Sequence, residues 1–97
     1  MSRATIERKL KTLSEELVAL RGELTVIDEQ LQHFIEEADD ARLRSMVSET
    51  PLAAQEHREA TKTVRGMQRD REVKVKRMAK LEAKQDSLLD DLSRVTS

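Results

Sequence analysis

The sequence has no cysteine, tryptophan or tyrosine, and it has a single phenylalanine, a single proline and two glycines. Without cysteine, neither a disulfide framework nor a thiolate centre can form. With Phe34 as the one aromatic, the chain lacks the rings that fill a globular core and those on which nucleic-acid bases stack. No stretch approaches the ~18 consecutive apolar residues of a membrane span. The opening "MSRATIERKL" also lacks the apolar segment of a signal peptide. These absences lead to the expectation of one small soluble, cytoplasmic domain over residues 1–97 with no membrane association.

Charged residues make up 38% of the chain and hydrophobic ones 37%. So polar a composition suits either a disordered segment or long helices that share a narrow apolar seam. Periodicity decides between them. From Ile6 the apolar residues step by four and three through Leu10, Leu13, Leu17, Leu20, Leu24, Ile27, Leu31 and Phe34 to Ala38 and Ala41. That 3.5-residue repeat is a coiled-coil seam, which disorder does not produce. The second half repeats the spacing through His57, Ala60, Val64, Met67, Arg71, Lys74, Met78, Leu81, Gln85, Leu88, Leu92 and Val95. Here Arg71, Lys74 and Gln85 place polar groups in the seam.

Between the two repeats, Thr50-Pro51 has the chemistry of a helix start. Thr50 serves as N-cap and Pro51 as the first helical residue, where its missing N–H costs nothing; Ser48 is an alternative cap. Ser2 is a candidate N-cap for the first helix. The expected elements are helix 1 over about 3–47, a tip over about 48–51 and helix 2 over about 51–95.

If the two helices pair antiparallel, the numbers of facing residues have a constant sum. A sum of 98 stacks Ile6 on Leu92, Leu10 on Leu88, Leu17 on Leu81, Leu20 on Met78, Leu31 on Met67 and Phe34 on Val64. It also puts the apex near residue 49, where the turn residues are. The flanking positions then match as Lys9–Asp91, Glu16–Lys84 and Glu23–Arg77, all of opposite charge. Residues 15–40 hold nine acidic side chains and one basic, whereas 59–84 hold nine basic and four acidic. Such pairs select orientation more than they stabilise. The predicted fold is all-α, an antiparallel coiled-coil hairpin.

The basic run 62–80 invites a nucleic-acid reading. The acidic face of helix 1 accounts for it more simply as counter-charge, and nucleic acid is not the expected partner. Arg71 and Lys74 are expected to extend past the seam leucines and reach Glu23 or Asp28. Ile35, Val75 and Leu89 widen the apolar stripe on one flank beyond what one partner helix covers. They are the candidates for self-association into a four-helix bundle.

His33 and His57 have no Cys or His at ligand spacing, and "EEADD" (36–40) reads as a solvated face. Gly22 and Gly66 belong to no phosphate loop. No catalytic residue, metal ligand or cofactor site is assigned. Past Ala41, the residues Leu43, Met46, Val47 and Leu52, flanked by Arg42, Arg44 and Arg58, offer two readings: they close the end of the bundle, or they form an exposed apolar and basic binding tip.

The segment "ARLRSMVSETPLAAQEHREA" resembles part of a group of short actinobacterial coiled-coil proteins, which implies an architecture and no activity. The two-helix layout and "LTVIDEQLQHFIEE" are more remotely similar to the RsiG anti-sigma factors, antiparallel hairpins that bind cyclic di-GMP and hold a sigma factor. Their nucleotide motif places Glu, Ser, Arg, Gln and Asp at steps of four, three, four and four. In this chain Gln32 and Glu36 fit its last two places, with Glu for Asp, and Thr25 stands where Ser is expected. Arg21 and Asp28 occupy the places of the Glu and the Arg, so the motif is not intact.

The combined expectation is a non-enzymatic protein-interaction or scaffold module with a protein partner and self-association. A transcription regulator that binds a sigma factor or RNA polymerase is the alternative. Nucleic-acid binding through the basic second helix is a further one.

Overall fold

The structure, a computed structural model, describes residues 1–96. It contains two α-helices, α1 (Arg3–Ser48) and α2 (Pro51–Thr96), each of 46 residues. No strand is present among the described residues. The helix bounds expected from the heptads are met to within one residue.

The ends of the helices follow from local chemistry. The Ser2 side chain accepts a hydrogen bond from the Thr5 N–H at 3.3 Å, while its carbonyl accepts from the Ile6 N–H at 3.0 Å. The first of these satisfies one of the donors that a helix start leaves unpaired, and the second is the first bond of the helix itself. Thr50 does the same for α2, its hydroxyl accepting from the Ala53 N–H at 3.2 Å and its carbonyl from the Ala54 N–H at 3.1 Å. Pro51 is the first residue of α2. The reversal needs one residue in the left-handed region, and Glu49 takes it with φ 49°. Its N–H donates to the Ser45 carbonyl at 3.3 Å and closes the last turn of α1. Glycine or asparagine is the usual residue at such a position, which is why the sequence did not announce it.

The chain divides into two compact units, residues 1–24 with 73–97 and residues 25–72. Within each, a segment of α1 runs antiparallel to a segment of α2. The first unit has a leucine core: Ile6, Leu13 and Leu17 of α1 are buried with Leu81 and Leu88 of α2. Leu10, Leu20, Met78 and Leu92 pack against this cluster. These residues are the expected seam, and Leu13 belongs to its centre. Full burial of a side chain of this size contributes roughly 1.5–3 kcal/mol, so the seam carries the stability of the unit.

The second unit is built from smaller side chains. Ile27, Ala41 and Ala53 are buried, while Leu31, Phe34, Ala38, Ala60, Val64 and Met67 are half-buried. Ala53 extends the α2 repeat one step ahead of His57. Ala41 and Ala53 are the buried residues nearest the turn on their two helices.

The ion pairs correct the sequence reading in part. Arg71 extends from the seam as expected and donates through Nε to Asp28 Oδ1 at 2.6 Å. That hydrogen bond and the carboxylate charge raise the Arg71 pKa above the usual arginine value. The numbers 28 and 71 sum to 99, close to the expected register. In the first unit, however, Glu16 is taken by Arg77, whose Nη2 and Nε lie 2.8 and 3.2 Å from Oε1. Those numbers sum to 93, so neither Glu16–Lys84 nor Glu23–Arg77 forms. Asp91 lies 3.7 Å from Arg94 on its own helix, and Lys9–Asp91 does not form either. A guanidinium on a long stem reaches a carboxylate that a matching of levels assigns to lysine.

Candidate functional site

The tip of the second unit gathers most of the residues singled out there. α1 continues helically through Ser48, so Leu43, Arg44, Met46 and Val47 share its last two turns. The heptad seam is lost after Ala41, and these apolar side chains face solvent. Leu43 is 52% exposed, Met46 64% and Val47 86%; Leu52, in the first turn of α2, is 65% exposed. The tip does not close the bundle with them.

Two of the flanking arginines are held in place. Arg42 Nη1 lies 3.6 Å from the Met46 sulfur and its Nε 3.9 Å from Asp39. Arg44 approaches Glu56 across the hairpin at 4.0 Å. Half-buried Ser45 turns its hydroxyl back onto the Arg42 carbonyl at 2.8 Å, which satisfies a polar group at a seam position without a partner on α2. The result is a display of four apolar side chains, Leu43, Met46, Val47 and Leu52, with two guanidinium groups beside them.

Arg58 is not part of this display. It lies two turns into α2, on an exposed stripe with Lys62, Arg65 and Arg69 that lines a shallow groove with His57 and Thr61. None of these four cations enters an ion pair among the described residues. The reading of the basic helix as counter-charge to α1 therefore holds for Arg71 and Arg77 and fails for this stripe. The acidic residues of α1 are engaged mostly along their own helix. Gln32 bonds Glu36 at 3.2 Å, His33 lies 3.1 Å from Glu37 and Asp39 lies beside Arg42.

The positions that matched the nucleotide motif are also occupied by such contacts. Asp28 is held by Arg71, and Gln32 and Glu36 bond each other. The self-association candidates are exposed in their own units, Ile35 in the second and Val75 and Leu89 in the first. Among the described residues no three His, Asp or Glu side chains are grouped as a metal would require. No helix is long and apolar enough to cross a membrane.

The class this geometry defines is an all-α helical hairpin with an exposed apolar tip. Comparison with protein-family models, curated proteins and solved structures finds no match to this chain.

Proposed function

We propose that the chain is a non-enzymatic interaction module, an antiparallel coiled coil whose tip engages a protein partner. The observation that carries this reading is the exposure of Leu43, Met46, Val47 and Leu52 at a site where the seam on either side is buried. An apolar cluster kept in water costs free energy unless a partner covers it, and aligned arginines steer an acidic partner surface toward it. The similarity to anti-sigma hairpins favours a transcription regulator as the kind of module, with a sigma factor or RNA polymerase as partner. The unpaired stripe of Arg58, Lys62, Arg65 and Arg69 supports nucleic acid as a second reading.

A photo-cross-linking residue at Val47, expressed in the protein's own host, tests the tip. It is expected to capture one predominant protein, while the same residue at exposed Val26, away from the tip, captures none. Equal capture at the two positions would refute the tip as the binding surface. A captured second copy of the chain would turn the module into a self-assembling scaffold.

A further inference from the structure

The failed ion pairs of the first unit leave a feature with its own chemistry. A groove of 520 Å³ runs between α1 and α2, with Leu13 and Leu81 among its lining residues. Arg8 and Lys9 line it from α1, and Arg77, Lys80 and Lys84 from α2. The one carboxylate in its wall, Glu16, is already neutralised by Arg77. The chain as a whole has a formal net charge of −1, so this concentration of positive charge is local.

Lys9 and Lys84 line this groove from the two different helices. Neither lysine has an ion-pair partner among the described residues. Like charges at such flanking positions destabilise an antiparallel pair. A bound anion would reverse the sign of that interaction.

We propose that this groove is a binding site for a small multivalent anion of clustered phosphate oxygens, seated between Lys9 and Lys84. Lys80 and Arg8 supply further charge, and the hydroxyl of Thr12, which also lines the groove, supplies a neutral donor. The cations converge across two helices instead of trailing along one. That arrangement suits a compact ligand better than an extended nucleic-acid strand, whose phosphates are met by a linear track of charge. Ligand binding is linked to folding, because the site exists only where α1 and α2 are paired.

Inorganic tripolyphosphate and the full chain provide the test, with calorimetric titration and thermal unfolding as readouts. Tripolyphosphate is expected to raise the unfolding temperature well beyond sodium chloride of equal ionic strength. Lys9→Gln or Lys84→Gln each weakens binding by about tenfold or more, the ratio for one lost hydrogen bond to a charged group. The pair Arg58→Gln with Lys62→Gln, an equal loss of charge in the other unit, leaves binding unchanged.

Lys9→Glu gives a signature in opposite directions. It places an acid among the cations that line the groove, so the ligand-free chain unfolds at a higher temperature while the response to tripolyphosphate is lost. Three results would each overturn the proposal. One is stabilisation no greater than that of chloride, and another is equal loss of binding in the Arg58/Lys62 variant. The third is a Lys9→Glu chain that is less stable without ligand. Binding of a single-stranded oligonucleotide with no binding of tripolyphosphate would likewise overturn it and assign the groove to nucleic acid.

Discussion

Truncating one leucine at the core and one at the tip separates the part of the hairpin that holds the fold from the part free to serve a partner. Leu17 is 1% exposed and packs within the Ile6, Leu13, Leu81 and Leu88 cluster. Its replacement by alanine removes buried methyl groups and leaves a cavity, at a cost of about 2–5 kcal/mol. Leu52 is 65% exposed, so roughly a third of its surface is out of water. Scaling the roughly 1.5–3 kcal/mol of a fully buried side chain by that third gives about 0.5–1 kcal/mol for Leu52→Ala. Urea denaturation followed by far-ultraviolet circular dichroism measures both. The expected result is a large loss of stability for Leu17→Ala and a small one for Leu52→Ala, each with an unchanged denaturant slope. If Leu52→Ala cost as much as Leu17→Ala, the tip would be packed and its apolar residues would belong to the fold. Equal and small losses would instead refute the leucine core.

The turn gives a second prediction: Glu49 holds a left-handed conformation that costs an L-residue roughly 1–2 kcal/mol. Glu49→Gly should therefore stabilise the chain by up to about 1.5 kcal/mol after glycine's own entropic cost of about 0.5–1 kcal/mol; a loss of stability in the same denaturation assay would contradict the turn. A Cβ built at Gly22 or at Gly66 meets nothing within 4 Å. The double change to alanine should add roughly 1–2 kcal/mol, and a decrease would mean that one of these positions needs a bare backbone. Changing exposed Ile35, Val75 and Leu89 together to lysine should yield monomers in sedimentation with helicity retained, and an unaltered association state would remove that flank as a self-association surface.

The seam was legible because a 3.5-residue repeat is enforced by burial, and burial tolerates few substitutes at Ile6, Leu13 or Leu17. The Thr50-Pro51 start was legible for a similar reason, since few residues cap a helix well or fit its first turn without a free N–H. Glu49 was not, because tertiary closure imposed a conformation that its own propensity disfavours. Ala53 was within reach of the heptad count, one step before His57, and was hidden by its small size. The ion pairs were the least legible element. A charge flanking the seam finds several opposite charges within the reach of a long side chain, and the resulting differences are of the order of 1 kcal/mol or less. The expectation that Arg71 and Lys74 reach Glu23 or Asp28 is met by Arg71 with Asp28, where a seam arginine has few directions in which to extend; matching levels did less well at the flanks. It misassigned Glu16, which Arg77 reaches from another level.

The two units also divide the energetic roles along the chain. Leucine burial is concentrated near the chain ends, in the cluster of Ile6, Leu13, Leu17, Leu81 and Leu88. The closing turns rely on alanines at 41 and 53, which let two helix backbones approach closely but bury little area. A tip of that kind adds little to stability, since its larger side chains are in water. Selection on Leu43, Met46, Val47 and Leu52 is correspondingly free to follow a partner's surface with small consequences for folding. The fold does little to constrain these four large apolar residues, which is why the proposed partner surface is placed on them. The same reasoning applies to Lys9 and Lys84, which line one groove and have no ion-pair partner among the described residues. Residues that stability leaves free, or argues against, are where function has to be sought in a hairpin this simple.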